Sequence, residues 1–162
     1  MHHIEFCDIT SRGDVHDLVV GFYREIVFDD LLAPVFGDVA EVDWTVHIPR
    51  LVDYWCRILL GEPGYGGAIL ASHRHVHELE PLRIEHFDRW YELWVRSVEA
   101  SWQGPLAETA KRHAARIAAS LVRQLLDTDW RCPALESTAA TATGEWPRAT
   151  AHSPGPFISR SD

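Results

Sequence analysis

Apolar residues recur every three or four positions in five segments of the chain, which is the spacing of one buried helix face. These segments run from Val15 to Ile26, Ile48 to Leu59, Ile69 to His77, Phe87 to Val98 and Ala110 to Leu125. No strand-like alternation of apolar and polar residues separates them. The pattern therefore predicts an all-α fold.

Capping and breaking residues place the helix ends. Ser11-x-x-Asp14 resembles a capping box and predicts the start of the first helix. Asp43 can cap the second helix, but Pro49 breaks the hydrogen-bond ladder beyond the first turn. That helix therefore either begins one residue before Pro49 or has a kinked start. Leu31 to Val42 is expected to be a linker that packs against the helices.

Composition divides the chain into two parts. A length of 162 residues fits one domain, which we place at residues 1–127. Residues 128–162 are rich in Ala, Thr, Ser, Pro and Gly and bury too little apolar surface to offset their ordering entropy. We therefore expect a disordered C-terminal tail, although Trp130, Trp146 and Phe157 could help it to dock.

Charge and hydropathy exclude several partners. The formal net charge is -9 with a pI near 5.5, so we expect no nucleic-acid partner, which would need a basic surface. No apolar run is long enough to span a bilayer and the first residues lack a basic start, so we expect no membrane partner and a cytoplasmic protein. Cys7, Cys56 and Cys132 show no zinc or disulfide spacing and are expected to be free thiols.

The densest chemistry lies between Leu70 and Trp94, which contains four histidines and two tryptophans. His73 and His77 share the apolar face of one helix, and the next helix carries an aromatic stripe. An imidazole set across an apolar surface from aromatic rings suits a flat, hydrophobic, metal-bearing ligand such as haem. A histidine on an apolar face is more often simply a hydrogen-bonded core residue, so this segment alone does not decide between the two.

Two other interpretations remain open from the residues. His73 and His77 lie four positions apart and could bind zinc with Glu78 or Glu80. A purely structural helical interaction domain without a cofactor is the third interpretation.

Several short motifs together resemble one known family. They are Phe22-Tyr23, Pro34-Val35-Phe36, Trp44-x-x-His47, the YWCRILLGE segment at residues 54–62, His73, and HFDRW from His86 to Trp90. With these motifs, residues 9–126 resemble the truncated haemoglobins, most closely the third of that family's groups. The resemblance implies a shortened globin, a two-over-two helical sandwich around haem b (iron protoporphyrin IX).

The resemblance also implies roles for individual residues. The proximal iron ligand falls on His73, seventeen positions before Trp90, and the family's shorter usual separation makes His77 the rival. The distal ligand-binding residues are Tyr23, Trp90 and His47, with His47 at the pocket mouth. The remaining haem-pocket residues are Phe36, Leu51, Trp55, Ile69 and His77.

The implied function is reversible binding of dioxygen and other diatomic gases, as in oxygen transport. Chemistry on nitric oxide or peroxide is a further option, and no catalytic residue is assigned. Tyr23 and Trp90 carry hydrogen-bond donors suited to the partial negative charge on dioxygen's outer atom. A reductase would be the expected protein partner, and the sequence does not identify it.

Overall fold

A computed structural model describes residues 6–65 and 67–133 of the chain. It contains six α-helices and one π-helical turn: α1 (Arg12–Val27), α2 (Leu32–Pro34), the π-helical turn Val35–Val39, α3 (Trp44–Leu60), α4 (Ile69–Leu79), α5 (Ile84–Glu99) and α6 (Pro105–Leu126). The described residues thus confirm the predicted all-α fold. None of the helices in them is long and apolar enough to cross a membrane.

Side-chain caps fix the start of α1 and α3. Ser11 Oγ accepts the backbone N–H of Asp14, and Asp14 Oδ2 accepts that of Ser11, which confirms the predicted capping box. Asp43 Oδ1 accepts the N–H of Thr45 at 3.0 Å. The helix α3 therefore begins at Trp44 and continues through Pro49, rather than starting beside the proline.

Residues 31–42 pack against the core, as expected of this linker, but its first part is helical: it contains α2 and the π-helical turn. Asp29 supplies the reason. Its Oδ1 accepts the N–H groups of Leu31 and Leu32, which lack partners at a helix start, and its Oδ2 accepts Arg89 Nε. Burial of Leu32 and Phe36 then holds this short helical stretch against the core.

Two helix pairs make the body of the fold. The first pair is α1 and α3, the second is α5 and α6, and contacts between α1 and α5 and between α3 and α6 join them. The face of α6 that packs inward is rich in buried alanine: Ala107, Ala110, Ala114 and Ala118. Small side chains allow α5 and α6 to approach closely, so the large aromatic rings of α5 are fully buried.

The segment before α1 caps the N-terminus of α6. Asp8 accepts the N–H groups of Leu106 and Ala107, each at 2.8 Å, and thereby caps a helix that begins almost a hundred residues later. Gly104 has φ 144°, and a Cβ there would lie 2.6 Å from the Asp8 side chain. Glycine is therefore required at this position by both conformation and space.

Contacts continue past the expected domain boundary at residue 127. The indole Nε1 of Trp130 donates to Asp88 Oδ1 at 2.8 Å, and its ring meets Tyr91 edge-on. The first residues of the expected tail thus pack on α5. Residues 134–162 lie outside the described residues, so their expected disorder stays a prediction.

Candidate functional site

Four buried side-chain polar atoms lack a hydrogen-bond partner within the described residues: Tyr23 Oη, His47 Nε2, Trp90 Nε1 and Glu92 Oε2. Glu92 Oε2 still has an ion-pair partner, Arg89 Nη1 at 3.7 Å, which leaves the three ring side chains of Tyr23, His47 and Trp90. The three side chains are at most 4% exposed. Leaving such a group unsatisfied costs about 1–3 kcal/mol, and buried polar groups in folded proteins are nearly always paired. Within the described residues, the fold therefore supplies no partner for the polar atoms of these three rings.

The three residues belong to one set of packed rings, which we call the aromatic cluster: Phe22, Tyr23, Phe36, Trp44, His47 and Trp90. The Tyr23 ring lies 5.7 Å from that of His47, 5.1 Å from Trp44 and 5.8 Å from Phe36. The Phe22 ring connects the two ends of the cluster, at 4.9 Å from Tyr23 and 5.9 Å from Trp90. The structure thus brings the predicted distal residues together.

Trp44 is a member of the cluster that the sequence analysis did not place in the site. Its ring stacks on Phe36 at 5.9 Å and meets His47 edge-on at the same distance. The available signal was its position three residues before His47, which puts both on one face of α3.

The aromatic cluster is uncharged at neutral pH. Burial, with smaller contributions from nearby His73 and Arg50, lowers the pKa of His47 to about 3, so its imidazole is neutral. Burial raises the pKa of Tyr23 well above its ordinary value, so its phenol keeps the proton. Tyr23 and Trp90 are consequently neutral hydrogen-bond donors in a dry environment.

His73 lies on α4 and has no exposed surface. Its Nδ1 lies 2.8 Å from the backbone carbonyl oxygen of Ile69, one turn earlier. A neutral imidazole that donates from Nδ1 carries its lone pair on Nε2, which is the arrangement of histidines that ligate metals. The helix α4 contacts the π-helical turn that carries Phe36, so His73 lies on an element that adjoins the aromatic cluster.

The other histidines of α4 are placed differently. His77 is half-buried, and its Nδ1 accepts the backbone N–H of Leu82 at 2.9 Å, so it fixes the turn that leads into α5. His75 is exposed, as expected from its opposite face. The part of the chain that the structure describes holds no group of three or more His, Cys, Asp or Glu side chains arranged for a metal ion.

The apolar wall residues are buried to different extents. Phe36, Leu51 and Trp55 are each 1% exposed, whereas Ile69 is half-buried. Trp55 stacks on Trp94 at 4.3 Å and so contacts the core of α5. Trp94 in turn contacts Phe22 of the aromatic cluster, so Trp55 is connected to the cluster by ring contacts through Trp94.

A crevice of about 190 Å³ between α1 and α3 reaches Tyr23. Its lining is mostly apolar and consists of Val20, Tyr23, Arg24, Val27, Trp44 and Ile48. His47, expected at the mouth of the pocket, is only 2% exposed, because α3 turns its side chain inward toward Tyr23. Ile48, the next residue, lines the opening instead.

Comparisons with known proteins give a similar sequence and a similar solved structure, both of truncated hemoglobins. It is 26% identical over 121 residues to the group 3 truncated hemoglobin ctb of Campylobacter jejuni, covering 73% of this chain and 93% of that protein. The crystal structure of the group III truncated hemoglobin from the same organism superposes with a TM-score of 0.64, at 24% identity, over 72% of this chain and 92% of that one.

The chain has the truncated haemoglobin fold. No protein-family model matches the sequence. The resemblance to group III truncated haemoglobins that the motifs predicted is thus confirmed by a similar fold over 72% of the chain. In this globin fold the aromatic cluster and His73 come from α1, α3, α4, α5 and the π-helical turn.

Proposed function

We propose that this globin binds haem and uses it to bind dioxygen and other diatomic ligands reversibly. The observation that carries the proposal is the set of three unpartnered buried atoms, Tyr23 Oη, His47 Nε2 and Trp90 Nε1. A bound cofactor and its ligand would supply what these atoms lack. The relatives' names, which describe hemoglobins, support the same function.

His73 is the proposed iron ligand. Full burial and the bond from Nδ1 to the Ile69 carbonyl hold the imidazole in one orientation, and donation from Nδ1 makes Nε2 the basic nitrogen. His77 already uses Nδ1 to fix the turn after α4, which makes it the weaker candidate. Haem iron held by a proximal histidine supplies reversible coordination of diatomic gases.

Tyr23 and Trp90 are the proposed selective elements. Both are neutral donors in a dry pocket, so each favours a ligand with partial negative charge on its outer atom, such as dioxygen. Carbon monoxide, which carries little charge, gains much less. The apolar crevice beside Tyr23 and Ile48 is a short path for a small uncharged gas.

The cofactor is proposed to be held without a covalent bond, as haem b is. The three cysteines, Cys7, Cys56 and Cys132, lack the C-x-x-C-H spacing of covalently attached haem. Because dioxygen binds only to reduced iron, the function also implies an electron donor of the reductase class.

The first test removes each candidate ligand in turn. We expect His73→Ala to lose most haem retention and the normal ferrous absorption spectrum, because it removes the iron's protein ligand. His77→Ala, the matched control on the same helix, should keep both. Absorption spectra and haem titrations measure this, and the reverse result would transfer the ligand role to His77.

The same spectrum decides between the cofactors. A Soret band in the purified chain supports the haem proposal. Bound zinc without colour would support the zinc interpretation through His73 and His77 and overturn the proposed function.

A further inference from the structure

A second pair of polar side chains lies away from the aromatic cluster, between α3 and α6. Tyr54 Oη is 2.5 Å from His113 Nε2. Tyr54 is 8% exposed and His113 is half-buried, so the pair lies just beneath the surface. The half-buried ring of Tyr65 lies 5.0 Å from Tyr54 on the outer side.

The protonation states suit a proton transfer within this pair. Burial, reinforced by neighbouring Tyr65, raises the pKa of Tyr54 to about 12, so the phenol keeps its proton at neutral pH. Burial lowers the pKa of His113, so the imidazole is neutral and Nε2 can accept. The phenol proton is thus shared with a base that is positioned to take it.

Stacked indoles connect this pair to the aromatic cluster. The ring of Trp55 lies 5.6 Å from that of Tyr54 and stacks on Trp94 at 4.3 Å and 19°. Trp94 in turn lies parallel to Trp90 at 6.4 Å and 10°. Four oxidisable rings therefore form a continuous row from Trp90 to Tyr54, with His113 at its outer end.

We propose that Tyr54 and His113 form a proton-coupled electron-donor site that supplies electrons through Trp55 and Trp94 to the pocket at Trp90 during reduction of a peroxide. The inference rests on the proposed function, because a bound haem would supply the chemistry that reduces the peroxide. It names the residues through which an external reductant reaches that group.

The electrons and protons balance as follows. Tyr54 gives up one electron, its O–H bond breaks and the proton forms an N–H bond on His113 Nε2, which leaves a neutral tyrosyl radical. Two such events reduce one peroxide, whose O–O bond breaks to give an alcohol and water with two protons taken from solvent. A phenolic one-electron reductant then restores Tyr54, which recovers its proton from His113, and the phenol's own proton goes to solvent.

The first experiment locates the radical. The haem-loaded chain is mixed with hydrogen peroxide, frozen and measured by electron paramagnetic resonance. We expect a tyrosyl signal that is lost in Tyr54→Phe, because this variant lacks the phenol that would carry the radical. An undiminished tyrosyl signal in Tyr54→Phe would overturn the proposal.

Tyr91→Phe is the matched control. Tyr91 is 6% exposed, but its phenol bonds to Cys132 rather than to a histidine. This variant should keep the signal, and its loss there would assign the radical to Tyr91 instead.

His113→Gln separates the redox role from simple packing. Glutamine can still accept a hydrogen bond from Tyr54 but cannot take the proton. We expect the radical to form roughly a hundredfold more slowly, as for loss of a positioned base, with an unchanged melting temperature. A radical that forms at the normal rate would show that the pair is structural only.

A flash experiment distinguishes failure of this inference from failure of the proposed function. A dissolved ruthenium photo-oxidant with a sacrificial electron acceptor oxidises the chain directly, with or without haem. If the chain takes up no haem, the proposed function fails, and the flash-generated radical at Tyr54 still decides whether the pair is a donor site. If haem is bound and the flash forms the Tyr54 radical while peroxide does not, the proposed route through Trp94 and Trp55 is wrong.

Discussion

Trp90 and Trp94 are the same residue type on the same helix, one turn apart, and each is 1% exposed. Their rings lie parallel at 6.4 Å. They differ in one respect: Trp94 Nε1 donates to the carbonyl oxygen of Ala110 at 3.1 Å, whereas Trp90 Nε1 has no partner among the described residues. Burial alone therefore does not separate a core tryptophan from a site tryptophan.

The difference shows what each side chain contributes. The bond from Trp94 ties α5 to α6, so its polar atom stabilises the fold. The N–H of Trp90, a member of the aromatic cluster, is buried without a partner among the described residues and so costs stability until a ligand accepts it. For these two tryptophans, the satisfied N–H identifies a folding role and the unsatisfied N–H is consistent with the proposed binding role.

The largest expected effect is on stability. We predict that Trp94→Phe lowers the free energy of unfolding by about 3 kcal/mol, because it leaves a cavity and removes a buried hydrogen bond. Trp90→Phe should cost only about 1–2 kcal/mol, because a similar cavity is partly offset by relief of an unsatisfied N–H. Urea unfolding of both variants in the same haem state measures the difference, and equal losses would remove the basis of the comparison.

For ligand binding, we expect the opposite order: replacing Trp90 has a larger effect on gas release than replacing Trp94. If Tyr23 and Trp90 both donate to dioxygen, Tyr23→Phe or Trp90→Phe should speed oxygen release about tenfold for each 1.4 kcal/mol of bond lost. Carbon monoxide release should change far less. Trp94→Phe, one turn along α5, should leave both rates near normal.

Stopped-flow and flash-photolysis rates test this selectivity. The double variant of Tyr23 and Trp90 should be non-additive, because two donors that share one ligand atom belong to one network. Equal changes for both gases in the single variants would mean that these residues only pack, and the polar-pocket mechanism would be abandoned.

The sequence predicted the elements whose causes are local. The apolar period placed α1 and α6, and the Ser11-x-x-Asp14 motif placed the start of α1, because caps and helix faces depend on residues a few positions apart. The motif resemblance also selected Tyr23, His47 and Trp90, which the structure brings into one cluster.

Features that depend on distant partners could not be predicted. Asp8 caps α6 across almost a hundred residues, and Asp29 turns an expected linker into α2 through contacts that include Arg89. The apolar periodicity of α5 also predicts the same burial for Trp90 and Trp94. The hydrogen-bond partner that distinguishes their roles is on α6. The spacing of apolar residues predicts which side chains are buried, but it does not predict their hydrogen bonds.

His86 and His47 extend the comparison to histidines. Both are buried, and burial is the first cause that lowers the pKa of each, to about 4 for His86 and about 3 for His47. His86 Nδ1 accepts the N–H of Arg83 at 2.9 Å and so caps α5, whereas His47 Nε2 has no partner among the described residues. His86 should therefore affect stability and leave gas release unchanged.

The smallest expected effect is the pH dependence that His86 causes. Its ordinary pKa is 6.5 and its folded pKa is about 4, so the unfolded chain binds more protons between these values. The stability from neutral His86 is complete above pH 6.5 and is lost as the pH falls toward 4. Between pH 7 and pH 5 we expect a contribution of roughly 1 kcal/mol to the free energy of unfolding, reduced for partial solvent exposure.

His86→Asn tests this contribution. It keeps an acceptor for the Arg83 N–H but does not titrate, so urea unfolding at the two pH values should show a smaller loss of stability than in the unmodified chain. An identical loss in both would assign the acid sensitivity to other groups and separate His86 from the folding role that its hydrogen bond indicates.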